Sequence, residues 1–83
     1  MQENTWEYSS LNLVCYLLMQ DNFKLKKVER KIIKDKDKTK IYFTVEGENQ
    51  KEFVDIFKSN QCYGNINEFT KIRRDLINMI KSL

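Results

Sequence analysis

From Phe23 to Glu46 the sequence leaves the spacing of a helix and alternates polar with apolar side chains, in two runs separated by a polar stretch. In the second run Ile41, Phe43 and Val45 alternate with Tyr42, Thr44 and Glu46, giving one aliphatic and aromatic face and one mixed face. In the first run Phe23 and Leu25 share a face. Val28, Arg30 and Ile32 follow after a slip of phase, which predicts a bulge near Lys26 and Lys27. Two strands joined by a polar tip at 34–39 are at best marginally stable in water. The rest of the chain must therefore cover their apolar face, and that need dictates a mixed architecture.

The flanking segments have helical spacing. Ser9 and Ser10 stand before Leu11, Val14, Cys15 and Leu18, and a serine oxygen is a good acceptor for the free amides of a first turn. A first helix is expected from about Ser10 to Asp21, ended by a left-handed Asn22. Leu13, Tyr16, Leu17 and Met19 widen its apolar surface beyond one stripe, as in a helix buried at the centre of a fold or covered by a partner chain. Gly47 closes the second strand. Asn49 is placed to cap a helix with core face Phe53, Ile56 and Phe57, ending near Asn60. Asn65 or Asn67 then caps a last helix, with Glu68 at the capping-box distance from Asn65. Phe69, Ile72, Leu76, Met79, Ile80 and Leu83 form its apolar stripe. The expected fold is a single α+β domain over 1–83 in the order α-β-β-α-α. It has a two-stranded antiparallel hairpin covered by helices, with 5–8 as a candidate third short strand.

Charge is concentrated on the hairpin. Nine of the fifteen Lys and Arg residues lie between Lys24 and Lys40, against Glu29, Asp35 and Asp37, so this segment carries +6 while the other 66 residues carry −3. Lys24, Lys26, Lys27, Arg30, Lys31, Lys34, Lys36, Lys38 and Lys40 are the candidate nucleic-acid contacts, because a projecting basic ribbon can follow phosphates and gain affinity by releasing counterions. Tyr42 and Tyr63 would add base stacking if they shared that face. Lysine outnumbers arginine here, which points to contact of low sequence specificity. Lysines also solvate the edge of a two-stranded ribbon and keep it from pairing with other chains, and that use stands beside the first. On the last helix Arg73 and Arg74 either extend the basic surface or are solvated beside Glu68 and Asp75.

A second candidate surface is apolar. Trp6, Tyr8, Tyr16 and Met19 would make a protein interface or a homodimer seam if exposed, and ordinary core if not. Monomer and homodimer are both open.

Several classes of function are disfavoured. The chain has no His and two Cys with 46 residues between them, so a zinc site or a nucleophile–His triad has no ligands or base to draw on. Two glycines cannot build a phosphate-cradling loop. The pairs Asp35 with Asp37 and Glu46 with Glu48 are routine in charged turns. No enzyme activity, metal or cofactor is expected. Cys15 lies in an apolar run, where cysteine behaves as a small hydrophobe, so a bond to Cys62 is not expected. The longest apolar stretch has seven residues against the roughly twenty of a membrane span. The first ten residues hold Glu3 and Glu7 and no cation, unlike a secretory signal. A cytoplasmic protein without a membrane partner is expected.

Ser9-Ser10-Leu11-Asn12-Leu13-Val14-Cys15-Tyr16-Leu17-Leu18 and then Asn22-Phe23-Lys24-Leu25 resembles a family of small phage and prophage domains of unknown function. That family carries T-S-D-L-x-L-A-A-Y-L, then G-F-K-L, a short hairpin and two helices. Lys40-Ile41-Tyr42-Phe43, Glu52-Phe53-Val54 and Asn67-Glu68-Phe69 fall at its second strand and helix starts, so the resemblance spans about residues 8–80. Val14 and Cys15 replace two alanines, Ser10 an acidic cap and Asn22 a glycine. The resemblance implies a mobile-element setting in a bacterial host and supplies no catalytic or binding residues. The expectation is a non-enzymatic phage or mobile-element protein that binds nucleic acid through its basic hairpin. The alternative is a protein-interaction module, such as an inhibitor of host defence or a regulator.

Overall fold

The computed structural model describes residues 4–33, 38–61 and 63–83. Lys34, Asp35, Lys36, Asp37 and Cys62 lie outside the described residues. The elements are β1 (Thr5–Tyr8), α1 (Leu11–Leu18), β2 (Lys24–Ile33), β3 (Lys38–Glu46), α2 (Gln50–Lys58) and α3 (Ile66–Lys81). The chain is thus a small α+β domain, as its periodicities require, with 5–8 joining as a true third strand. All pairings are antiparallel and the order is β1-β3-β2, so the strand with the cleanest alternation is the central one.

Residues directly opposite each other in an antiparallel ladder point to the same side of the sheet. Leu25 pairs with Val45, Val28 with Phe43 and Tyr8 also with Phe43, which puts these residues on one face with Ile41. The same residues pack with α1 and with Leu76 of α3, so the helices cover that face. Five consecutive residues of α1, Leu13 to Leu17, are buried, and this helix is the centre of the core. Phe23 meets Phe53 of α2 edge-on at 5.1 Å between ring centroids, and Tyr16 lies 6.0 Å from Phe57. The phase slip in β2 is real: the register shifts between Leu25 and Lys27, leaving Lys26 as the extra residue. β1 stops pairing at Tyr8 opposite Phe43, so from Glu29 and Tyr42 onward β2 and β3 run as a two-stranded ribbon. Ile32, expected on the covered face, is 75% exposed because it lies on this ribbon, beyond the three-stranded part of the sheet.

Helix ends follow hydrogen bonding. Ser10 caps α1, its Oγ accepting from the Leu13 amide at 3.3 Å. The helix ends at Leu18 and not Asp21, because the amides of Met19, Gln20 and Phe23 close successive turns on Cys15, Leu17 and Gln20 carbonyls. No left-handed residue is needed there, and Asn22 is not one; the non-glycine residues of positive φ among those described are Asn49 (φ 63°) and Asn60 (φ 61°). Asn60 ends α2: the Gln61 amide donates to the Ile56 carbonyl at 3.2 Å, the closure that a left-handed residue after a helix permits. Asn49 precedes α2 but makes no side-chain cap, since its left-handed backbone takes it out of the extended conformation a capping residue needs. Asn65, not Asn67, caps α3, with Oδ1 accepting from the amides of Asn67 and Glu68. Of the α3 stripe, Leu76 is buried and Phe69, Ile72 and Ile80 pack on the core, while Met79 and Leu83 are about half exposed at the end of the helix.

Gln50 was not anticipated in the core, yet it is 2% exposed. Its Nε2 donates to the carbonyls of Asn4, Val45 and Gly47 at 2.8, 3.0 and 3.1 Å, and its Oε1 accepts from the Tyr8 hydroxyl at 2.8 Å. One side chain thereby fastens β1, the end of β3 and the start of α2 together. Gly47 is required by close approach: a Cβ there would meet the Phe23 ring and lie 2.7 Å from the Asn22 carbonyl oxygen.

Candidate nucleic-acid interface

The ladder assigns each hairpin cation to a face. Lys24 pairs with Glu46, Lys27 with Thr44, Lys31 with Lys40 and Ile33 with Lys38, all opposite in sense to the Val28–Phe43 rung and therefore on the side away from the helices. Lys26, in the bulge, reaches Glu46 at 3.8 Å and so joins that side. Six lysines share this open face with Glu7, Glu29, Glu46, Tyr42 and Thr44, and six cations against three glutamates leave a net +3. Arg30 does not belong to it. It pairs with Ile41 on the helix side, and its Nη2 donates to the Ile80 carbonyl at 3.5 Å, in the last turn of α3, where a cation also suits the helix C-terminus. Lys34 and Lys36 lie outside the described residues.

The middle of the open face neutralises itself. Lys31 Nζ passes over the Tyr42 ring, 4.9 Å from its centroid, to reach Glu7 on the far strand at 2.9 Å and Glu29 at 3.7 Å. Lys27 lies 2.6 Å from Glu29. The hydrogen bond from Lys27 holds the Glu29 carboxyl below the usual range, and the bond to Glu7 raises the Lys31 ammonium above its own. These groups are solvent-exposed, where such pairs contribute little to stability. Lys24, Lys38 and Lys40 make no ion pair among the described residues. Lys31 and Lys40 are directly opposite, an arrangement that repels unless an anion lies nearby.

Tyr42 stands on the open face, but Tyr63 does not join it. It is in the connection before α3, next to Gly64, which abuts Met19 on the helix side. Arg73 donates from Nε to Asn12 Oδ1 at 3.3 Å and ties α3 to α1. Arg74 is exposed on the same helix.

The apolar candidates separate. Tyr16 is buried under Phe53 and Phe57, so it is core and offers no surface for docking. Met19 is half-buried against Gly64. Tyr8 is half-buried on Gln50, and burial pushes its hydroxyl pKa up. Trp6 is 56% exposed. Trp6 and Tyr8 line an open groove of 430 Å³ against Lys51, Val54, Asp55 and Lys58 of α2. The α2 members recur at the i, i+3, i+4, i+7 positions of one helical face, a signal present in the sequence and overshadowed by the neighbouring face of Phe53, Ile56 and Phe57.

Cys15 is fully buried and its thiol pKa is raised by that burial. Among the described residues no group of three or more His, Cys, Asp or Glu is placed to hold a metal ion, and no helix is long and apolar enough to cross a membrane. No family model, curated protein or solved structure matches the chain.

Proposed function

We propose that this chain is a small non-enzymatic binding protein that holds nucleic acid by charge on the open face of its sheet, in the mobile-element setting that its resemblance implies. The observation that carries the reading is the register, which puts six lysines of the hairpin on one uncovered face. Tyr42 lies among them and becomes a stacking platform once Lys31, whose ammonium covers its ring, swings to a phosphate. Lys31, Lys38 and Lys40 sit on the ribbon beyond β1, where a strand of nucleic acid meets no steric obstacle from the helices. The exposed glutamates limit the field, so contact is of modest affinity and little sequence preference.

A combined Lys24→Ala, Lys38→Ala and Lys40→Ala variant tests this against a fluorescent single-stranded oligonucleotide. Loss of roughly tenfold or more in affinity at low salt is expected from removing three phosphate contacts. Arg30→Ala, on the other face, should bind like the parent chain. Equal binding by the triple variant refutes the assignment. A protein partner is the second reading, and the half-exposed Trp6 in its groove favours it. In either reading the protein acts inside a bacterial host, as a monomer or homodimer.

A further inference from the structure

β1 is an edge strand, and its outward side can be read from one hydrogen bond. The Gly47 amide donates to the Asn4 carbonyl at 2.9 Å, which makes Asn4 and Gly47 a bonded rung of the β1–β3 ladder. By the alternation of an antiparallel ladder, Trp6 and Tyr8 are also bonded to β3. The amide and carbonyl of Glu7 therefore point away from the sheet. Beside this edge lies the groove of Trp6, Tyr8 and Val54, with Lys51 and Lys58 on the α2 wall against a single carboxylate, Asp55.

We infer that β1 and this groove form a docking site for an extended acidic peptide that adds as a fourth strand. Backbone pairing through Glu7 supplies the register. Alternate side chains of the added strand would then fall on the helix side, one apolar residue against Trp6 and Val54 and carboxylates against Lys51 and Lys58. Charge complementarity selects the acidic occupant, because the groove wall carries two ammonium groups against one carboxylate. The groove is on the opposite face of the sheet from the hairpin lysines, and among the described residues the Glu7 side chain alone joins the two faces through its ion pair with Lys31.

Trp6 is the chain's single tryptophan, so its emission reports the site directly. The probe is a labelled seven-residue peptide alternating glutamate and valine around a central phenylalanine, with a lysine-for-glutamate counterpart. The acidic peptide should bind saturably with a blue shift of Trp6 emission as the indole is covered. Lys51→Glu with Lys58→Glu should weaken it tenfold or more and admit the lysine peptide. Glu7→Pro removes an outward-facing edge donor, a change edge strands tolerate, and should abolish binding, whereas Glu7→Gln retains it. Absence of any anisotropy change or emission shift up to about 1 mM peptide, the limit of a weak complex, overturns the inference. Equal binding of the lysine peptide overturns it too, as does a dimer in sedimentation that Glu7→Pro disperses, which would mean a second copy fills the edge.

Discussion

Replacing Gln50 by methionine keeps the volume of the side chain and removes its polar atoms. The amide has two hydrogens shared among three carbonyls at 2.8 to 3.1 Å, and its oxygen takes the Tyr8 hydroxyl at 2.8 Å, so three hydrogen bonds' worth of interaction is lost. At about 0.5–1.5 kcal/mol each, with the Tyr8 hydroxyl left half-buried and unpaired, the loss is about 2–4 kcal/mol. For a domain of this size that lowers the melting temperature by roughly 10–25 °C. Denaturant unfolding followed by Trp6 emission measures it. Hydrogen exchange adds location, since the Trp6 and Tyr8 amides should lose protection before those of α1. Tyr8→Phe supplies the second leg of a double-mutant cycle, and the paired variants should cost about 1 kcal/mol less than the sum of the single ones. If Gln50→Met destabilises by under about 0.5 kcal/mol, or the cycle shows no coupling, Gln50 does not hold β1 in place.

Other consequences follow from the packing and charges. Gly47→Ala pushes a methyl against the Phe23 ring and the Asn22 carbonyl, and should cost about 1–3 kcal/mol in urea unfolding as overpacked sites do; an unchanged midpoint would contradict the close approach. In a Cys62→Ser background, Cys15 should resist thiol reagents in the native protein and react fully once unfolded, because it has no exposed surface and burial raises its pKa. Glu29 has its pKa lowered by Lys27 in the folded protein, so its stabilising effect is complete above the ordinary carboxylate range and is lost as pH falls through the depressed value. Glu29→Gln should therefore flatten the acid limb of a stability-against-pH curve and leave its neutral-to-alkaline part the same shape.

The fold was legible where side-chain period and capping chemistry agree. The alternation of Ile41, Phe43 and Val45 marked the central strand, the slip near Lys26 and Lys27 marked the bulge, and Ser10 and the pair Asn65 or Asn67 marked helix starts, of which Asn65 does the capping because its oxygen meets the amides. What escaped was decided by tertiary pairing. Nothing local says that Gln50 enters the core, since the three carbonyls that receive it come from Asn4, Val45 and Gly47. Tyr16 read as surface or core until Phe53 and Phe57 covered it. Arg30 looked like one more cation of the ribbon. Its rung with Ile41 turned it to the helices, while Lys31, its neighbour, was turned to the open face and reached across to Glu7. A basic count along the chain therefore overstates the field at the site, because the glutamates that temper it come from β1 and β3 as well as from β2.

Affinity for a single-stranded oligonucleotide against salt concentration tests the central claim most directly. With three to six lysines of the open face meeting phosphates, the logarithm of the binding constant should fall against the logarithm of salt concentration with a slope of about −2 to −4. The slope should shrink in the Lys24→Ala, Lys38→Ala, Lys40→Ala variant and stay unchanged in Arg30→Ala. No binding at about 50 mM salt, or a slope close to zero, would contradict a charged sheet face made to hold nucleic acid.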